Sequence, residues 1–131
     1  MNRIGEIFAK RFEHWNLRIP EEDLAERRSG FIQDKGWLIQ YCFGDDEAGE
    51  YMDYYAAHRM TDDEHIRIRA DGSVESLPAL SSMRLRSEDP EEDRRLEEEY
   101  YRYNREVARM LVEKGFDKFT ISMMLSAGLI E

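Results

Sequence analysis

The sequence predicts an α+β domain in which helices flank an antiparallel sheet at both ends of the chain. Apolar residues recur at steps of three and four near the amino terminus and again beyond position 90, which is the helical period. Between about 31 and 77 the pattern alternates in steps of two and is broken by short turns, as in an antiparallel meander. A length of 131 residues suits one domain, so we expect a single domain over 1–131.

Two helices are predicted before the sheet. The first spans Asn2 to Trp15, because its apolar residues form one stripe; they are Ile4, Ile7, Phe8, Phe12 and Trp15. The second begins at Pro20, where proline suits the first turn and the acids that follow oppose the positive end of the helix dipole. It is short, and we expect Gly30 to close it after Arg27 and Arg28.

Four or five strands are predicted next. Asp71-Gly72 is a strong hairpin signal, because both residues tolerate the left-handed conformation that tight turns require. Trp37–Phe43 alternates cleanly, with Trp37, Ile39, Tyr41 and Phe43 on one face. The remaining strands are predicted at 51–58, 65–69 and 74–77, with a possible edge strand at 31–33.

The chain is expected to end in two helices. Asp89 is a good cap and Pro90 a good first residue, so a long helix is predicted over about 90–114, with Gly115 as its stop. Asp117 is predicted to cap a last, shorter helix. We expect one core shared by the inward faces of all these elements: Ile4, Phe8, Phe12, Trp37, Ile39, Phe43, Ile66, Ile68, Leu96, Val107 and Leu111.

Composition excludes several classes of protein. The formal net charge of −10 disfavours binding to duplex nucleic acid or to an anionic membrane, since both need a basic surface. One cysteine, Cys42, cannot form an intramolecular disulfide. No apolar run has the length of a signal peptide or a membrane span, and we therefore expect a cytoplasmic protein.

Polar residues on the predicted sheet form one candidate ligand site. If Ile66 and Ile68 face the helices, Arg67 and Arg69 line the opposite face, where they would hold an anionic group. The same face would carry Gln40, Asp53 and Tyr55. The alternative is an ordinary sheet face with cross-strand arginine–carboxylate pairs.

A metal site is a weaker candidate. His58 and His65 flank a turn, and with a nearby carboxylate they would provide ligands for zinc or iron, provided that the strand register puts them on one face. Their spacing matches no metal motif, and Cys42 in mid-strand is more typical of a small buried residue than of a nucleophile. We expect no cofactor and no catalytic residue.

The preferred hypothesis is therefore a non-catalytic module that binds another protein. Its general character resembles that of bacterial immunity and adaptor proteins, which is an analogy at the level of the fold alone. A basic partner is expected from the net charge, with contacts along the long helix at Glu97, Glu98, Glu99, Tyr101 and Arg102. A homodimer is also expected, because the end of the chain has more apolar residues than one helical face holds: Met123, Met124, Leu129 and Ile130.

Overall fold

The computed structural model describes residues 2–58, 60–81 and 84–116. The chain forms two compact units, Met1–Leu77 and Pro78–Glu131. In the described residues, the first contains two short helices and a five-stranded antiparallel sheet, and the second contains one long helix. The predicted α+β class is confirmed. That the whole chain is one domain stays a prediction.

The first helix, α1, spans Arg3–Arg11 and is shorter than predicted. Asn2 caps it by accepting a hydrogen bond from the Gly5 amide at 3.2 Å. The chain leaves α-helical geometry at Phe12, which is only 2 % exposed, and continues as a 3₁₀ turn over Glu13–Trp15. Phe12 is therefore buried as predicted, although it lies at the end of α1 and not within it.

The second helix, α2, spans Glu21–Glu26 after Pro20, close to its predicted start. Arg27 ends it in the left-handed conformation (φ 53°), so the prediction that Gly30 closes the helix is wrong. Gly30 is instead the first residue of the sheet. A Cβ atom there would overlap the hydroxyl group of Tyr41, which explains why glycine stands at this position.

Five strands follow in chain order, and each pairs only with its neighbours: β1 (Gly30–Asp34), β2 (Trp37–Asp46), β3 (Gly49–His58), β4 (Thr61–Arg69) and β5 (Val74–Ser76). The possible edge strand is thus β1, and the meander is confirmed. Lys35 and Gly36 both have positive φ (52° and 83°) in the two-residue turn before β2. Gly72, at φ 95°, occupies the predicted hairpin turn between β4 and β5.

The core of the first unit lies between α1 and one face of the sheet. Its buried apolar residues are Ile4, Phe8, Phe12, Leu17, Ile19, Leu24, Trp37, Ile39, Tyr41, Met52, Tyr54, Ala56, Ile66 and Ile68. Seven predicted core residues are among them, and Phe43 packs against the cluster while remaining partly exposed. Val107 and Leu111 are buried in the second unit, and Leu96 is half-buried there. A core common to both units stays a prediction.

The long helix, α3, spans Pro90–Glu113, one residue shorter than predicted. Asp89 caps it by accepting a hydrogen bond from the Glu91 amide at 3.3 Å. The predicted last helix lies outside the described residues. No helix in the described part of the chain is both long and apolar enough to cross a membrane.

Candidate functional site

The face of the sheet opposite the core carries the predicted ligand residues. In the register of β2, β3 and β4, Gln40 lies opposite Tyr55, and Asp53 lies opposite Arg67. Alternation places Arg69 on the same face, so the five residues that the sequence predicts do share one surface of the first unit. Asp53 and Tyr55 are buried, at 2 % and 0 % exposure.

Both arginines of β4 are held by carboxylates. Arg67 donates to both oxygens of Asp53, from Nε at 2.7 Å and from Nη2 at 2.9 Å. Arg69 donates in the same bidentate manner to Asp46, at 2.8 and 2.9 Å. Glu75 of β5 lies 3.9 Å from Arg67 and 3.6 Å from Arg69. Paired carboxylates therefore occupy the donor groups that an anionic ligand would need.

The electrostatics of this cluster follow from those bonds. Hydrogen bonds from Arg69 are the main reason that the pKa of Asp46 falls to about 2. The bond to Asp53 likewise raises the pKa of Arg67 above its usual value. The Arg67 guanidinium also lies 3.8 Å from the centre of the Tyr51 ring, at cation–π distance. With two cations and three carboxylates, the cluster carries a formal charge of −1.

Further along the same face, the sheet carries a second polar group of residues. The Tyr55 hydroxyl donates to Asp63 at 2.6 Å, and its ring lies 5.7 Å from that of His65. Burial raises the pKa of Asp63, and the bond from Tyr55 only partly offsets this. Cys42 lies opposite Asp53 in the neighbouring strand pair. Tyr55, Asp63 and His65 thus form a cluster joined by a hydrogen bond and a ring contact.

The two histidines of the weak metal candidate lie on opposite faces of the sheet. His65 is on the face of Tyr55 and is 1 % exposed. The His58 ring lies on the core side, 4.8 Å from that of Trp37 and 5.1 Å from that of Trp15. One ion cannot bind both rings. Within residues 2–58, 60–81 and 84–116 no three His, Cys, Asp or Glu side chains converge as metal ligands would.

An open cavity of about 730 Å³ lies between α1 and α2. Its lining includes small and apolar residues, among them Gly5, Ala9 and Leu24, and charged residues such as Glu6 and Lys10. None of the residues singled out from the sequence lines it.

The predicted interaction residues of α3 come together for the most part. A surface cavity of about 470 Å³ is lined by Arg94, Glu97, Glu98, Tyr101, Arg102 and Arg105. The Tyr101 ring packs against that of Tyr100 at 5.2 Å, which holds it at the edge of this groove. Glu99 does not line the groove and pairs with Arg95 of the same helix at 2.7 Å.

Sequence reasoning missed three members of the cluster around the β4 arginines. Asp46 and Glu75 supply carboxylates, and Tyr51 supplies the ring beneath the guanidinium groups. Asp46 belongs to an acidic stretch that reads as a solvated turn, but it is the last residue of β2. Only the register of β2 with β3 would have placed it beside Arg69.

No family model, no curated protein and no solved structure matches this chain.

Proposed function

We propose that this chain is a non-catalytic protein-interaction module whose contact surface lies on the first half of α3. The observation that carries the proposal is the burial along that helix. Its buried residues begin only at Asn104, although the preceding turns include Leu96, Tyr100, Tyr101 and Tyr103. Tyr103 is 43 % exposed. Tyrosines and arginines at a groove on a rigid helix are the residues that most often anchor protein interfaces.

The geometry of the sheet disfavours the two alternatives, a binding site for an anionic small molecule and a metal-dependent enzyme. For an anionic small molecule to bind Arg67 or Arg69, it would have to displace Asp53 or Asp46 from a bidentate pair. For a metal-dependent enzyme, the two histidines would have to share a face of the sheet. The interaction surface on α3 needs no such rearrangement.

The expected partner is a basic protein in the cytoplasm, because the net charge of −10 would attract it at long range. Exposed charges are screened within about 8 Å at physiological ionic strength, so they increase the rate of encounter more than they hold a complex together. Tyr101 would provide the short-range contact. Duplex nucleic acid and membranes are not expected partners.

Affinity capture from a lysate of the source cells tests the proposal. The bait is the full chain as wild type, as Tyr101→Ala, or as Val112→Ala, a control on the same helix at a residue that is 46 % exposed and outside the groove. We expect wild type and control to retain the same protein. Tyr101→Ala should release it about thirtyfold faster, which corresponds to a hot spot of about 2 kcal/mol.

Two results would contradict this proposal. Equal retention by all three baits would show that the groove is not the contact surface. If no protein is captured and the purified chain also fails to self-associate, the interaction function itself is contradicted. Circular dichroism of each variant checks that the substitution has left the fold intact.

A further inference from the structure

One face of α3 carries a regular pattern of alternating charge. Six residues follow one another at steps of three, four, four, four and three, which average the 3.6 residues of a helical turn. They alternate strictly in sign and are all exposed: Glu91, Arg94, Glu98, Arg102, Glu106 and Arg109. We call this row the charge stripe. It runs from Glu91 to Arg109, about 27 Å along the helix.

The charge stripe has no partner in the part of the chain that the structure describes. Among the described residues 2–58, 60–81 and 84–116, none of its six side chains makes an ion pair or a hydrogen bond. The same helix does form such pairs just beside the stripe, where Arg95 contacts Glu99 at 2.7 Å and Glu92 at 3.8 Å. Consecutive residues of the stripe are not within ion-pair distance of one another, so their charges are available to a partner.

The charge stripe is complementary to a second, antiparallel copy of itself, because each acidic position then faces a basic one. A two-fold axis at position 100 lies nine residues from both Glu91 and Arg109. It lies six residues from both Arg94 and Glu106, and two from both Glu98 and Arg102. Two antiparallel copies of α3 would therefore oppose unlike charges at all three pairs, and the two-fold symmetry doubles these to six.

We propose that the charge stripe of α3 is a self-association surface, and that its partner is an antiparallel second copy of this chain. The inference rests on the proposed function, because it uses the same helix. Two chains of net charge −10 repel each other at long range, so the matched charges of the stripe have to hold the copies together at contact. Exposed ion pairs contribute little singly, so a matched row of six and the aromatic contact beside it act together. Tyr101, which lines the groove with Glu98 and Arg102, lies one residue from the axis and supplies that contact from both copies.

Charge reversal of the central pair is the sharpest test. Glu98→Arg would place two arginines opposite each other at two points of the interface, and Arg102→Glu would place two glutamates there. We expect each variant to weaken dimerisation about thirtyfold, as attraction becomes repulsion at two pairs. The double variant Glu98→Arg/Arg102→Glu keeps the wild-type net charge and restores complementarity, so it should dimerise like the wild type.

A mixture makes the test independent of folding defects. Glu98→Arg and Arg102→Glu should each be monomeric alone, yet form a mixed dimer together, because every arginine then meets a glutamate of the other chain. Glu47→Arg is the matched control. It makes the same change in net charge at an exposed residue of the first unit, and we expect it to leave the dimer unchanged.

Sedimentation equilibrium of the purified full chains, at micromolar concentration, measures the outcome directly. We expect twice the chain mass of 15.6 kDa for the wild type, the double variant, the mixture and Glu47→Arg. A monomeric wild type, or a double variant that does not recover the dimer, would overturn the self-association. Capture of a different protein through Tyr101 would then still support the interaction function, so the two failures are distinguishable.

Discussion

Replacing Asp53 by alanine measures how much the ion pair between Asp53 and Arg67 contributes to the free energy of unfolding. The Asp53 side chain is 3 % exposed and that of Arg67 is 17 % exposed, and two hydrogen bonds join them. Removing one partner of a fully buried ion pair costs about 3–5 kcal/mol, since the other charge stays desolvated. Arg67 keeps some exposure and has Asp46 and Glu75 at 3.9 Å, so we expect a smaller loss of about 2–4 kcal/mol.

Urea denaturation followed by tryptophan fluorescence gives this number. With a slope of about 2 kcal/mol per molar urea, the midpoint should fall by about 1–2 M. The variant Asp53→Leu/Arg67→Met, which replaces both charges by apolar groups, should recover much of the loss. A midpoint equal to that of the wild type for Asp53→Ala would refute the reasoning and return Arg67 to the candidate ligand residues.

Three further predictions follow from packing and burial. Phe8→Ala should cost about 3–5 kcal/mol in the free energy of unfolding because its ring is fully buried, and Phe31→Ala, at a residue 38 % exposed, should cost less than half of that in the same urea assay. Gly30→Ala should lower the melting temperature, as the new Cβ overlaps the Tyr41 hydroxyl and forces the ring to move. Burial raises the pKa of Asp63, so its contribution to stability is present at low pH and is lost as pH rises above the ordinary range of an aspartate. The wild type should lose stability relative to Asp63→Asn over that rise, and a constant difference would contradict this.

Hydrophobic period and turn chemistry were sufficient to predict most of the fold. The alternation in Trp37–Phe43 and the Asp71-Gly72 turn were confirmed because both depend on residues that are close in sequence. The misplaced helix ends have a different cause. Gly30 has the residue type of a helix stop, but its role is set by the Tyr41 ring on the next strand, which sequence spacing does not show.

The candidate sites were less predictable, because they depend on register. The sequence puts Arg67 and Arg69 on one face, yet which carboxylates meet them depends on how β2, β3 and β5 align with β4. Whether the two histidines share a face also depended on strand register. His58 and His65 are near in sequence, yet His65 lies opposite Tyr55 on one face, whereas His58 packs against Trp37 on the other.

Pairing, more than charge itself, separates the arginines of this chain into two groups. Those of β4 have bidentate carboxylate partners and low exposure, so their charge is balanced locally and contributes to stability. In the charge stripe of α3, Arg94, Arg102 and Arg109 are exposed and have no such partner among the described residues. An arginine with a bidentate carboxylate partner has few donors left for another protein, whereas an exposed arginine without one can still form an ion pair across an interface. The surface most able to recognise another protein is therefore α3, even though the arginines that stand out in the sequence lie on the sheet.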